Sequence, residues 1–96
     1  MAEKEFQWNG YRIFVSDKHP KKYYALIPSA VNANATVRTR KVYFGDVRYE
    51  HYKDKLGHYK DLDHNSTKRR EMYKKRMEKN RHAVGTAGWF ADQLLW

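Results

Sequence analysis

Residue periodicity changes once along this chain, at Gly45-Asp46, and that change constrains the fold more than any other feature. Before it, aromatic and β-branched residues alternate with polar ones, the two-residue period of half-buried strands. After it the alternation disappears, and charged runs with helical spacing take over. The expectation is an α+β fold: a small antiparallel sheet of two hairpins, followed by short C-terminal helices packed on it.

The strands can be placed from their punctuation. Asn9-Gly10 is a strong hairpin dipeptide because both central residues of a type I′ turn need positive φ. It predicts arms at Glu5–Trp8 and 11–16. A third strand at 22–27 should stop at Pro28, and 29–35 reads as a loop of small residues. A fourth strand at 36–44 sets Val37, Thr39, Lys41 and Tyr43 against Arg38, Arg40, Val42 and Phe44. Ninety-six residues are too few for two independent cores, so 1–96 is read as one domain. Within it, 1–20 is an N-terminal hairpin or extension, 21–46 a second hairpin and 47–96 the helical part.

That part starts with a short helix at 47–55, broken by Gly57. A second helix at 67–82, capped by Asn65 or Ser66, has only a thin apolar stripe of Met72, Tyr73 and Met77. A last one at 87–96, capped by Thr86, is dense in apolar residues.

Composition says what must fill the core. Mean hydropathy is −1.05 although 41% of residues are hydrophobic. Eight Tyr, four Phe and three Trp reconcile the two, since such rings pack on one side and hydrogen-bond on the other. With no cysteine, a disulfide framework and a thiolate zinc site are both excluded. No apolar run approaches the roughly 20 residues of a membrane span. The N-terminal MAEKEFQW lacks the apolar stretch of a secretory signal, so cytosolic assembly is expected.

HYKD occurs twice, at 51–54 and 58–61, with Asp63 and His64 just beyond. His58, Asp61 and His64 are the candidate metal ligands, because Gly57 permits a bend that would gather them. The Asp63-His64-Asn65 string beside the basic helix is the candidate for a metal-dependent nuclease, whose activity would require Asp61 and His64. The favoured reading is a connector in which Tyr52 and Tyr59 pack on the sheet while the Lys/Asp pairs stay wet. No cofactor is implied.

Charge is the strongest local signal. Net charge is +9, and eight of the fourteen residues at 68–81 are basic. Lys68, Arg69, Arg70, Lys74, Lys75, Arg76, Lys79 and Arg81 face only two glutamates, Glu71 and Glu78. An excess of that size points to an anionic partner, nucleic acid or an acidic protein surface. Tyr24, Tyr43, Arg38 and Arg40 are candidates for a single-strand platform, against the commoner fate of core packing. Trp89, Phe90, Leu94, Leu95 and Trp96 form an apolar patch that either closes the core or anchors to a neighbour.

Phe44-Gly45-Asp46, Tyr49, Tyr52, Leu62-Asp63-His64, Lys68-Arg69-Arg70, Tyr73, Thr86-Ala87-Gly88-Trp89-Phe90 and Leu94-Leu95-Trp96 together carry a resemblance. Over about residues 21–96 the chain resembles a family of small basic proteins encoded by large DNA viruses and tailed phages. The resemblance implies a viral setting and supplies no catalytic residue; residues 1–20 read as an addition to it. The resulting expectation is a non-enzymatic minor virion component, capsid-associated or at a head–tail junction. It would be present in many copies and dock on neighbouring virion proteins through its basic helix and aromatic C-terminus. The alternative is a viral DNA- or RNA-binding protein acting in the host cytoplasm.

Overall fold

The computed structural model describes residues 4–30 and 37–96, apart from the side chains at positions 29, 30, 37 and 38. Most of the loop expected at 29–35, and the side chain of Arg38, therefore lie outside the described residues. Asn9 and Gly10 both take positive φ, 48° and 80°, as the hairpin dipeptide demands. They join β1 (Glu5–Trp8) to β2 (Tyr11–Val15). β2 pairs with β3 (Lys21–Ala30), and β3 with β4 (Val37–Asp46), giving an antiparallel sheet in the order β1-β2-β3-β4. The α+β expectation holds, with helices α1 (Thr67–Arg76) and α2 (Ala87–Leu94) after the sheet.

The N-terminal hairpin is part of this sheet and not an appendage. Ile13 pairs with Ala25 and is completely buried. Trp8 and Tyr11 reach α2, with ring centroids 5.4 Å from Trp89 and 5.1 Å from Phe90 respectively. The core is the layer between sheet and α2, where Ile13, Tyr23, Ala25 and Phe44 meet Phe90, Leu94 and Leu95. Phe44 and Phe90 stack at 5.4 Å.

Strand alternation puts Phe14, Tyr24 and Tyr43 on the opposite face. There Phe14 stacks on Tyr24 at 5.1 Å, and Tyr24 meets Tyr43 at 5.4 Å. Arg12 lies over Phe14 and Lys41 over Tyr24, each held in place by a carboxylate, Glu5 and Asp17. Their alkyl stems and charges cover the rings, so Phe14 and Tyr24 are buried on a face against which no described helix packs. Tyr24 is therefore packed and is not an open stacking platform.

β3 continues through Pro28, which pairs with Thr39, instead of stopping there. β2 reaches only as far as Leu26, so beyond that point a missing proline N–H removes no bond from the β2 ladder.

Residues 47–55 are not helical. Lys53 N donates to Leu95 O at 3.0 Å, Lys55 N to Leu94 O at 2.9 Å and His51 N to Leu62 O at 3.1 Å. These amides are held by distant carbonyls, which leaves no i−4 ladder to form. The connector contains only a single 3-10 turn, Lys60–Leu62. α1 stops at Arg76, short of the expected 82, and α2 stops at Leu94, short of 96.

Gly45 is the residue on which the C-terminal part seats. Its φ is +76°, and a Cβ there would meet Leu95 Cδ1 at 2.9 Å and Lys22 Cδ at 3.0 Å. Gly45→Ala should lower unfolding free energy by about 1–3 kcal/mol, from left-handed backbone and crowding together. Urea denaturation followed by tryptophan fluorescence checks it.

Candidate functional site

The first HYKD copy turns inward. Lys22, only 2% exposed, donates from Nζ to His51 Nδ1 at 2.7 Å and to Tyr49 O at 2.9 Å. An ammonium can only donate, so the His51 proton sits on Nε2 and is donated to Asp63 Oδ1 at 2.5 Å. Asp63 Oδ1 also accepts from Asp54 N at 2.8 Å. Asp54 in turn accepts from the Tyr23 hydroxyl, from Leu56 N at 2.9 Å and from Tyr59 N at 2.8 Å. Five titratable side chains thus link β3 to the connector.

The protonation of Lys22, His51 and Tyr23 follows from burial. Desolvation pulls Lys22 down from 10.5 to about 8, against the carboxylates of Asp54, Asp46 and Asp63. Burial, then the nearby Lys22 charge, holds His51 below its ordinary 6.5, opposed by Asp63. Burial also raises Tyr23, reinforced by its bond to Asp54, so it remains a neutral donor.

This corrects the expectation that the Lys/Asp pairs of the repeat stay wet. Lys53, Lys60 and Asp61 are exposed, but Asp54 and His51 are interior. Tyr59 packs on the sheet, edge-on to Tyr23 at 5.3 Å, as expected. Tyr52 instead meets His64 at 6.2 Å and lies under Arg70 at 5.2 Å.

His58, Asp61 and His64 are not gathered into one site. His58 packs edge-on against Tyr59, Asp61 belongs to the 3-10 turn, and His64 Nδ1 accepts from Ser66 N at 3.0 Å. Among the described residues, no group of three His, Asp or Glu side chains is placed to hold a metal ion. Burial, followed by the Arg69 charge, holds His64 below its ordinary value.

α1 is attached mainly through polar groups and one ring stack. Met72 of its expected apolar stripe is 54% exposed. Tyr73 stacks on Trp96 at 4.1 Å and 5°, while Arg70 Nε donates to Trp96 O at 2.8 Å. Asp92 of α2, 3% exposed, receives Lys74 Nζ at 2.7 Å and lies 3.7 Å from Arg81 Nη1. Arg69 pairs with Glu50 at 3.0 Å. Half of the eight bases therefore have partners within the fold. Arg76 lies over Tyr73, and Lys68, Lys75 and Lys79 have no ion-pair partner among the described residues. Sequence reasoning missed Asp92; its one signal there is that it is the single acidic residue of the apolar 87–96 segment.

Of the expected docking residues, Phe90, Leu94 and Leu95 close the core, whereas Trp89 and Trp96 are half-buried at its rim. Between β3, β4, α1 and the C-terminal residues lies a cleft of about 400 Å³, walled by Lys22, Tyr49, Arg76 and Trp96 among others. No helix among the described residues is long and apolar enough to cross a membrane.

The fold and site define a small basic α+β protein with an internal Lys–His–Asp chain. Comparison of the sequence and fold with protein-family models, curated proteins and solved structures found no match. The functional reading therefore depends on the residues of this chain.

Asp92→Asn should cost about 1–3 kcal/mol of stability and increase amide exchange in α1, because two cations lose their carboxylate. Hydrogen exchange by mass spectrometry checks the location of the loss. Since the folded pKa of His51 lies below the unfolded value, the unfolded chain takes up its proton first on acidification. Stability should therefore be fully present above pH about 6.5 and decline below it. In urea melts, His51→Gln should flatten that decline.

Proposed function

We propose that this chain is a non-enzymatic, virus-encoded protein, a minor structural component of a virion that docks on an anionic neighbour through exposed lysines of α1 and of the turn that follows it. The viral setting is supported by the resemblance carried by Phe44-Gly45-Asp46, Lys68-Arg69-Arg70 and the segment from Thr86 to Trp96. One observation carries the docking surface: Lys68, Lys75 and Lys79 are exposed and have no ion-pair partner among the described residues. Their charges are not spent on ion pairs within the described fold, and a net charge of +9 draws polyanions to them.

Burial of Phe90, Leu94 and Leu95 moves docking away from the C-terminal patch and onto these lysines. We assign the Lys22–His51–Asp63 chain a positioning role, because it ties the connector to β3. On this reading the protein resides in the particle, or in the host cytoplasm during infection, in many copies.

Nucleic acid is the second reading, favoured by the same three lysines, which suit phosphate contact without base readout. Fixed stoichiometry in purified particles supports the virion role, and absence from particles overturns it. Binding to duplex and single-stranded DNA over a salt series tests the other. There, Lys68→Ala/Lys75→Ala/Lys79→Ala should reduce the log–log salt slope by about three if these lysines contact phosphates.

A further inference from the structure

The cleft between the start of β3, the end of β4, the 49–51 turn and α1 has features that no role in the fold accounts for. Its volume, about 400 Å³, lies within the range of small-molecule sites. Two carboxylate side chains line it, and both are already paired: Arg48 binds Asp46 at 2.8 and 3.0 Å, and Arg69 binds Glu50 at 3.0 Å. The remaining charge on its walls is positive, from Lys21, Lys22 and Arg76.

Lys22 has one donor to spare. Of its three N–H groups, one meets Tyr49 O and one meets His51 Nδ1, and the third has no acceptor among the described residues. A buried ammonium with an unspent donor on a cleft wall suits an anion that enters from solvent. Asp54 and Asp63 oppose the Lys22 charge, but both Asp54 oxygens are occupied by Tyr23 and connector amides, and Asp63 Oδ1 by His51 and Asp54 N.

The cleft also offers a ring surface. Tyr49 lines it and is 65% exposed, which is unusual for a large aromatic in a fold that buries most of its rings. Trp96, stacked on Tyr73, also lines it.

We propose that this cleft binds a nucleoside phosphate, with the phosphate against Lys21, Lys22 and Arg76 and the base against Tyr49. The ligand is either a free nucleotide or one unit of a nucleic-acid strand, which present the same chemistry. The site does not depend on the docking reading, because that surface is formed by Lys68, Lys75 and Lys79.

The test is an NMR titration of the full chain with adenosine monophosphate, ribose 5-phosphate, adenosine and a short single-stranded oligonucleotide. Adenosine monophosphate should shift the amides of Lys22, Gly45 and Tyr49 saturably at millimolar concentration. Arg76→Ala should weaken it about tenfold, and Tyr49→Ala should weaken it while leaving ribose 5-phosphate unchanged. Both residues are exposed, so circular dichroism should show intact folds.

Competition between mononucleotide and oligonucleotide identifies the ligand as a strand unit; mononucleotide binding without competition identifies a free nucleotide. The proposal is overturned if no saturable shift occurs at the cleft, or if adenosine binds as well as its phosphate. Indifference to Arg76→Ala also overturns it, as does loss of binding in the Lys68/Lys75/Lys79 triple variant, which would place the ligand on those lysines. Oligonucleotide binding that the triple variant abolishes, with no shift at the cleft, removes this proposal and leaves the anionic-partner reading intact.

Discussion

The hydrogen-bond chain from Lys22 through His51 to Asp63 is the interaction on which the rest of the structure depends. It runs from the start of β3 into a connector that has little regular structure of its own. With the connector fixed, Lys53 and Lys55 donate to the carbonyls of Leu95 and Leu94. Those bonds bring Leu95 over Gly45 and leave Trp96 where Tyr73 can stack on it. A polar chain inside the protein thus positions both the apolar core and the basic helix. Desolvating a lysine and a histidine is costly, and the cost is met here by complete pairing at the histidine and by carboxylates nearby.

The positive helix is attached in an unusual way. Its side chains bury little, and much of its hold comes from one ring stack and from Asp92. Exposed ion pairs contribute little, but Asp92 is buried, so its bonds to Lys74 and Arg81 are less screened than those at the surface. The helix therefore divides its charge: one group of bases maintains the fold, and the other remains in solvent.

The sheet was legible because its signals are local. Asn9-Gly10 dictates its turn, and alternation from Val37 to Phe44 assigns each residue a face. Pro28 misled because its effect depends on whether a second neighbour strand is present, which is a tertiary fact. The helix expected at 47–55 failed for a related reason: its amides are taken by Leu62, Leu94 and Leu95, residues remote in sequence. The repeated HYKD was visible, but its two copies look alike in sequence and differ only in what lies beside them. His51 and Asp54 face Lys22 and Tyr23, while His58 and Asp61 face water. The basic run at 68–81 was equally plain, yet its division into bound and free cations required Asp92 and Glu50 to be placed in space.

The contact of Trp8 and Tyr11 with Trp89 and Phe90 joins the two ends of the described chain. During synthesis the sheet emerges first, with Ile13, Tyr23 and Phe44 displaying an apolar face that has nothing to cover it. That face is sealed only when residues 90–95 have left the ribosome, so the order of translation opposes piecemeal folding. Until α2 has been made, the apolar face of the sheet stays exposed in the nascent chain.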